Sequence, residues 1–290
     1  MGKQVSPLRY PGGKAKLYNY IADIIRNLFV DKPVYCEPYA GGFGLGLELL
    51  FNNVVNSVII NDFDYCIYSF WKCLVDDSLY EDFIERIIET PITVHEWEIQ
   101  KDIYRHYSCY PTLDIGFATF FLNRCNRSGI LEANPIGGIK QSGKYHIDCR
   151  FNKTNLINVI KRIHGEKNRI QVMGKDAMEC IHLVDDNNTN VLFNLDPPYI
   201  TAGPLLYKNN YSQGDHIALG KAVKNLRNRW IMTYDDNPLI RDIYRNNIIR
   251  DYTLKYSLEQ KRKGRELIIY DNRFVNPPVL DLYYEKTMKK

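Results

Sequence analysis

The sequence predicts an α/β fold in which a doubly wound sheet of short strands is interrupted by a long insert. Several short apolar runs end directly in an acidic residue, which is typical of strands whose carboxyl ends face a ligand. A glycine-rich turn joins the first of these runs to a leucine-rich helix, an arrangement that brings a nucleotide-like ligand against bare backbone. Between the second and third runs, residues 69–164 lack this strand pattern and are treated as an insert.

The composition is that of an ordinary soluble globular protein. Of the 290 residues, 45% are apolar and 25% are charged, so the chain can bury a sizeable core. The formal net charge of +4 is too small to indicate a nucleic-acid partner by itself, and the distribution of charge matters more. No apolar run is long enough to cross a bilayer and no signal-peptide core is present, so we expect a cytoplasmic protein with no membrane partner.

The cysteines argue against a disulfide framework and against a zinc site. There are seven of them, an odd number, and none belongs to a CxxC pair. We therefore expect reduced thiols that serve as inert packing residues, and we expect no bound metal.

The first motif is the loop PLRYPGGK at residues 7–14, which precedes an amphipathic helix beginning near Leu17. Its glycines allow the backbone to approach a ligand, and Lys14 supplies a cation near the start of the helix. The loop is not a P-loop, because the Walker spacing and its Ser/Thr are missing. Taken alone, such a loop is more often a plain structural turn.

The second motif, EPYAGGFGLG, follows a predicted strand that ends at Glu37. Because its spacing is not GxGxxG, a dinucleotide pyrophosphate is not specifically indicated. Glu37 instead suits the ammonium group of an amino-acid moiety. The next predicted strand, residues 58–60, runs into Asn61 and Asp62, where such folds bind ribose hydroxyls. The alternative role for Asp62 is the N-cap of the following helix, and the two roles are compatible.

The charge of the insert changes sign along its length. Residues 63–90 have a helical pattern, and residues 76–102 are acidic, as on a solvated face. Residues 120–170 contain ten basic and three acidic side chains interleaved with polar ones, the footprint expected for phosphate contacts and base readout. Basic blocks are also common on faces that only keep a protein soluble. The candidate contacts are Asn123, Arg124, Asn126, Arg127, Ser128, Lys140 and Lys144.

The strand pattern resumes after the insert. Residues 169–173 predict a third strand, which is followed by Asp176, and residues 191–195 predict a fourth. A helix is predicted over residues 215–226 and a fifth strand over residues 229–234. Two further strands are predicted over residues 248–256 and 265–271, joined by a segment that contains the basic run 261–263.

The fourth predicted strand runs directly into Asp196, Pro197, Pro198 and Tyr199, the sequence DPPY. The prolines fix their own backbone angles and restrain the residues before them. Asp196 and the Pro197 carbonyl can each accept a hydrogen from an exocyclic amino group, while Tyr199 stacks on its ring. Two acceptors favour a pyramidal nitrogen whose lone pair points at an electrophile, naturally a sulfonium methyl group. The alternative is a strand followed by a proline-fixed turn with no chemistry.

Taken in order, these motifs resemble those of the Dam-type, group alpha, DNA adenine-N6 methyltransferases over nearly the whole chain. PLRYPGGK is similar to the N-terminal loop of that family, EPYAGGFGLG to its methionine-binding loop and DPPY to its catalytic tetrapeptide. Asp62, after Asn61, resembles its ribose-binding acid, and Asp176 resembles the residue beside the cofactor adenine. LNRCNRSGI is similar to its DNA-contacting segment and KRKGRELIIY to its last hairpin.

The resemblance implies a Rossmann-like S-adenosylmethionine-dependent methyltransferase sheet with a mainly helical target-recognition insert. Residues 1–68 and 165–290 would form the catalytic domain, and residues 69–164 would bind double-stranded DNA. A target adenine would be flipped over Tyr199 and methylated directly, without a metal. The implied catalytic residues are Asp196, Pro197, Pro198 and Tyr199, and the implied cofactor residues are Tyr10, Gly12, Lys14, Glu37, Pro38, Tyr39, Gly41, Gly42, Asp62, Phe63, Asp176, Ala177 and Asp196.

One segment departs from the resemblance. After LNRCNRSGI the chain runs ANPIGGIKQSGKYHIDCRFNK, unlike the GATC-methylating members, so GATC specificity is not transferred. The alternatives are an amino-methyltransferase acting on RNA or on a protein glutamine, and a catalytically inactive DNA-binding relative. The long basic insert argues against the first, and the intact Asp196 and Tyr199 argue against the second. We expect a monomer in solution, and a cognate restriction endonuclease is a further candidate partner.

Overall fold

The computed structural model describes residues 5–10, 14–200, 211–254 and 264–278. The strands within these ranges are β1 (Val34–Glu37), β2 (Ser57–Asn61), β3 (Ile170–Met173), β4 (Val191–Leu195), β5 (Arg229–Asp235), β6 (Ile248–Leu254) and β7 (Gly264–Tyr270). They form a seven-stranded sheet in the order β3-β2-β1-β4-β5-β7-β6. Strands that are distant in sequence are therefore neighbours in the sheet, and the predicted α/β fold is confirmed.

The strands β1, β4 and β5 are parallel, whereas β7 and β6 form an antiparallel edge. β4 pairs in parallel with β1 on one side and with β5 on the other, so that Phe193 lies opposite both Cys36 and Trp230. β7 runs antiparallel to β5, with Leu267 opposite Tyr234, and β6 runs antiparallel to β7. Because parallel strands end at the same edge of a sheet, the residues that follow β1 and β4 meet at one rim.

Helices occupy most of the intervals between strands. In chain order they are α1 (Tyr18–Leu28), α2 (Gly44–Phe51), α3 (Tyr65–Val75), α4 (Asp77–Glu89), α5 (Val94–Arg105), α6 (Thr112–Cys125), α7 (Lys153–Gly165), α8 (Ala177–Asn187), α9 (Gln213–Lys224) and α10 (Pro238–Ile243). Helices α3 to α7 follow β2 and precede β3, where the insert is predicted. The helical pattern of residues 63–90 covers two helices, because Asp76 is extended at ψ 118° and its side chain caps α4 through the amide of Ser78.

The described residues divide into two compact units. The first contains residues 60–175 with the described parts of 1–13 and 41–47, and the second contains residues 14–40, 48–59 and the described parts of 176–290. The core of the first unit is aromatic: the ring centres of Phe70 and Phe120 lie 5.9 Å apart, and those of Phe83 and Phe120 lie 5.7 Å apart. The predicted insert lies within the longest segment of this unit, residues 60–175, which also includes the start of α3, whose Phe70 stacks on Phe120 of α6.

Some sequence expectations need correction, and others fall outside the described ranges. The cysteines form no disulfide and five of them are buried as expected, but Cys109 and Cys149 are exposed. In residues 5–10, 14–200, 211–254 and 264–278, no helix is long and apolar enough to cross a membrane, and no group of three or more His, Cys, Asp or Glu could hold a metal. The proposed cofactor residue Gly12 and the basic run 261–263 lie outside the described residues.

Candidate active site

The DPPY segment begins where β4 ends, and its acid is held from two sides. Asp196 Oδ1 accepts a hydrogen bond from the Thr233 hydroxyl at 2.6 Å, and Asp196 Oδ2 lies 3.0 Å from Lys14 Nζ. Thr233 is buried on β5, the parallel neighbour of β4, so the pairing of the two strands sets the distance between these side chains. The carboxylate therefore has a defined orientation, with one oxygen beside a cation.

Tyr199 is anchored through its phenol oxygen. The hydroxyl accepts a hydrogen bond from Lys14 Nζ at 3.0 Å and donates one to Glu266 Oε2 at 3.1 Å. Lys14 Nζ also lies 5.3 Å from the centre of the Tyr199 ring, and the ring of Tyr234 is 6.2 Å away between centres. The ring is partly exposed, so it is fixed at its hydroxyl end and can still stack on a planar ligand.

Glu37, the last residue of β1, is a buried carboxyl group. Its Oε1 accepts a hydrogen bond from the hydroxyl of Tyr35 at 2.7 Å, because residues two apart on a strand share a face. Burial raises the pKa of Glu37 to about 8; the Tyr35 hydrogen bond opposes this, and the nearby charge of Asp196 adds to it. The carboxyl group is therefore largely protonated at neutral pH and would ionise readily beside a cationic group.

In the first unit, the glycine-rich turn is tied to Asp62. Asp62 Oδ2 accepts a hydrogen bond from the amide of Gly41 at 2.8 Å, and its Oδ1 accepts one from the amide of Asp64 at 3.0 Å. Burial raises the pKa of Asp62 to about 7, although both backbone hydrogen bonds lower it. Gly41 has φ +47°, and a Cβ there would come within 2.7 Å of the Tyr10 ring, so only glycine fits. The alternative role of Asp62 as a helix cap is wrong, because Asp64 is the N-cap of α3.

The other proposed cofactor residues occupy varied environments. Asp176 is exposed and is the N-cap of α8, accepting hydrogen bonds from the amides of Met178 and Glu179. Tyr39 shares a hydroxyl hydrogen bond of 2.9 Å with Tyr211. Phe63 is 57% exposed, whereas Pro38, Gly42 and Ala177 are buried.

Two asparagines that the sequence assigns to DNA are used inside the first unit. The side chain of Asn123 accepts from the amide of Arg9 at 2.7 Å and donates to the carbonyls of Arg9 and Gly129 at 2.9 and 3.0 Å. Asn126 accepts from the indole of Trp97 at 2.6 Å, and its amide group donates to two backbone carbonyls. Both side chains are buried, so in this structure they hold a loop together and do not face a ligand.

Arg124 is also turned inward. Its guanidinium donates to the carbonyl of Arg150 at 2.8 Å and to that of Pro7 at 3.4 Å. Burial, together with the neighbouring charge of Arg9, lowers the pKa of Arg124 to about 10. Asn123, Arg124 and Asn126 are therefore not placed for direct base readout in this structure, since their polar groups are bonded to the protein. The exposed members of the predicted set are Arg127, Ser128, Lys140 and Lys144.

Comparison with known families identifies the class of enzyme. The family model described as D12 class N6 adenine-specific DNA methyltransferase matches residues 10–261. The chain belongs to this family. It is also similar to the Type II methyltransferase M.CviBI of Paramecium bursaria Chlorella virus NC1A, with 21% identity over 276 residues that cover 90% of this chain and 95% of the relative. The sequence-based prediction of a DNA adenine-N6 methyltransferase is confirmed.

The residues present fit the methyl donor that D12 membership implies, S-adenosylmethionine. Glu37 is a buried carboxyl group whose raised pKa would fall beside a cation, so it suits an ammonium group. Each oxygen of Asp62 accepts a backbone hydrogen bond, but a carboxylate has about four lone-pair positions, so hydroxyl groups can still donate to it. The chemistry of these donor and acceptor groups is therefore compatible with the two polar ends of that molecule.

Three side chains of the candidate site were not predicted from the sequence: Tyr35, Thr233 and Glu266. Each has a polar group and lies in a strand with several apolar residues, in VYCE, RWIMTY and GRELIIY. The interruption of an apolar pattern is the signal that points to such residues, because a buried polar group needs a partner. The sequence does not show which residue that partner is when it lies far along the chain. Thr233 contacts Asp196, 37 positions away, and Glu266 contacts Tyr199, 67 positions away.

Proposed function

We propose that this D12 protein transfers a methyl group from S-adenosylmethionine to N6 of an adenine flipped out of double-stranded DNA at a specific sequence. The observation that carries the proposal is the orientation of Asp196 at the end of β4, where Thr233 and Lys14 hold its two oxygens and the same Lys14 donates to the hydroxyl of Tyr199. Flipping costs a few kcal/mol, which stacking and hydrogen bonds in the pocket offset.

The roles of the catalytic residues follow from their chemistry. Asp196 accepts one hydrogen of the adenine amino group and the Pro197 carbonyl accepts the other, so the N6 lone pair leaves the ring system. Tyr199 stacks on the base, and Pro198 limits the movement of the tetrapeptide. When bound, S-adenosylmethionine supplies an activated methyl group on a sulfonium. Much of the rate enhancement then comes from holding two reactants in line.

The cofactor residues are proposed from the resemblance and, for those that the structure describes, from their surroundings. Glu37 would bind the ammonium group of the methionine part and Asp62 the ribose hydroxyls. Asp176 and Ala177 would lie beside the cofactor adenine. The remaining proposed contacts are Tyr10, Gly12, Lys14, Pro38, Tyr39, Gly41, Gly42, Phe63 and Asp196.

The proposal is tested with Asp196→Ala. Loss of the acceptor should lower the rate of methyl transfer at least about 100-fold, the effect typical of removing one preorganised hydrogen-bonding group. Binding of S-adenosylmethionine should stay within a few fold, measured by calorimetry. Asp186→Ala, at an exposed position of α8, is the matched control and should keep the wild-type rate. Equal loss of rate and of cofactor binding in Asp196→Ala would place this residue in the cofactor site instead.

The recognition sequence and the biological context need a second experiment. Expression in a host without DNA methylation, followed by single-molecule sequencing of its genome, should show N6-methyladenine at one short sequence. Methylation confined to RNA or protein would contradict the proposal. We further propose a cytoplasmic monomer that acts with a cognate restriction endonuclease, as the Type II designation of its relative suggests. Gel filtration tests the monomer, and resistance of the methylated DNA to a co-encoded nuclease tests the partner.

A further inference from the structure

Glu266 is a buried acid that contacts Lys14 and Tyr199, and the proposed reaction does not use it directly. It lies on β7 and is 2% exposed. Burying an ionised carboxylate is unfavourable unless it is paired and hydrogen-bonded. Its contacts therefore indicate why an acid occupies this position of an apolar strand.

The ammonium of Lys14 lies between two carboxylates. Lys14 Nζ is 3.0 Å from Asp196 Oδ2 and 3.6 Å from Glu266 Oε2. It also donates to the hydroxyl of Tyr199, which in turn donates to Glu266. A small displacement of the flexible lysine side chain would exchange the shorter contact for the longer one.

The present position of Lys14 is unfavourable for substrate. Because Thr233 already donates to Asp196 Oδ1, Oδ2 is the oxygen best placed to receive the adenine amino group. An ammonium at 3.0 Å compensates the charge of Asp196 and weakens it as an acceptor for a neutral amino group. Capture of the amino group therefore requires Lys14 to withdraw from Asp196, and the withdrawn cation needs another anion.

We propose that Glu266 is a positioning residue that takes the Lys14 ammonium when the target amino group binds to Asp196. The same carboxylate accepts a hydrogen bond from the hydroxyl of Tyr199. Glu266 would therefore both draw Lys14 away from Asp196 and hold the Tyr199 ring in place. This inference rests on the proposed function, since it describes how the DPPY site becomes competent to receive adenine.

The test is a double-mutant cycle on the full-length protein with Glu266→Gln, Lys14→Met and the combination of both. Single-turnover methylation is measured on a duplex that carries the mapped recognition sequence, with cofactor saturating. Glu266→Gln keeps the shape of the side chain but removes its charge, so Lys14 should stay with Asp196 and the rate should fall about 10- to 100-fold. In the Lys14→Met background the competing cation is absent, and Glu266→Gln should then change the rate less than about 3-fold.

The inference is wrong if Glu266→Gln lowers the rate by the same factor with and without Lys14, because the two residues then act independently. The proposed function would stand in that case. A wild-type protein that methylates no adenine would overturn the proposed function, and the inference with it. Glu98→Gln and Lys221→Met make the same charge changes at exposed positions and should leave the rate unchanged.

Misfolding is separated from mispositioning by a second variant. Glu266→Asp keeps the negative charge on a shorter side chain, so it should retain more activity than Glu266→Gln when Lys14 is present. That advantage should disappear in the Lys14→Met background. All variants are checked for cofactor affinity and for the urea midpoint of unfolding. Equal activity of Glu266→Asp and Glu266→Gln in the presence of Lys14 would contradict the charge-based role.

Discussion

At the scale of single residues, two buried acids assigned to the cofactor have raised pKa values. Burial raises the pKa of Glu37 to about 8 and that of Asp62 to about 7, in spite of hydrogen bonds that favour their ionised forms. A buried acid with a shifted pKa often has a functional partner. For Glu37 that partner would be the ammonium group of the methyl donor.

The raised pKa of Glu37 predicts a specific dependence of stability on pH. At pH values between 4.5, the ordinary pKa of a glutamate, and about 8, its pKa in the folded protein, Glu37 is ionised in the unfolded chain but keeps its proton in the folded protein. The contribution of this group to the free energy of unfolding is therefore complete below pH 4.5 and is lost as the pH rises toward 8. Glu37→Gln removes this loss, so its stability relative to wild type should rise by up to about 1 kcal/mol per pH unit in that window.

Urea unfolding at several pH values between 5 and 8 measures this difference. Glu98→Gln, at an exposed position of α5, is the control and should keep the wild-type pH dependence. A difference between Glu37→Gln and wild type that does not change with pH would contradict the prediction. In calorimetry, cofactor binding at pH 7 should release a proton in wild type and release less in Glu37→Gln, because binding an ammonium group ionises the acid.

At the scale of elements, the carboxyl end of α6 and the loop that follows it form a scaffold for the exposed Arg127. Asn123 bonds to both backbone groups of Arg9, and Asn126 bonds to the carbonyls of Ile130 and Leu131. These contacts fix the loop that carries Arg127. Asn123 and Asn126, which the motif assigns to DNA, therefore stabilise the conformation of this loop.

This scaffold predicts that Gly129 cannot be replaced. Gly129 has φ +76°, and a Cβ there would lie 2.3 Å from the carbonyl oxygen of Arg9, a backbone atom that cannot move aside. Gly129→Ala should therefore lower the free energy of unfolding by more than about 1 kcal/mol. Gly165→Ala is the control: its Cβ would meet no atom within 4 Å, and α7 should be unchanged or stabilised by up to about 1 kcal/mol. Chemical denaturation of both variants distinguishes the two effects, and equal stability of the two would refute the predicted clash.

At the scale of the whole molecule, the distribution of charge matters more than its sum. The net charge is only +4, yet residues 120–170 hold ten basic and three acidic side chains. Arg127, Lys140 and Lys144 are exposed within this segment. A concentrated basic segment on a nearly neutral protein is suited to contact phosphates and to orient the protein on DNA.

Removing one of these charges should change the salt dependence of DNA binding. If Arg127, Lys140 or Lys144 neutralises a phosphate, replacement by alanine should reduce the slope of log affinity against log salt by about 0.9. Lys221→Ala, at an exposed position of α9, is the charge-matched control and should leave the slope unchanged. Fluorescence anisotropy over a range of salt concentrations measures the slopes. A slope that is the same in all four variants would remove these three residues from the DNA interface.

The class of enzyme was predictable from short segments of sequence. DPPY, the glycine-rich turn and the PGGK loop are local patterns, and their order along the chain is enough to indicate the D12 class. Strand positions were also predictable, because a strand is indicated by a short apolar run bounded by turn residues, and this signal lies within a few neighbouring positions. The partners of Asp196 were not, because Lys14 and Thr233 lie far from it in sequence and reach it only through the pairing of strands.

The sequence by itself determined the fold class and the reaction, because both depend on which residue types follow one another. Only the tertiary structure decided which polar side chains are available to a ligand. Asn123, Arg124 and Asn126 match a DNA-contact motif, yet they are buried and bonded to the backbone. Likewise, Glu266 reaches Lys14 and Tyr199 through its position on β7. Burial and hydrogen bonding arise from residues brought together by folding, and no local pattern encodes them.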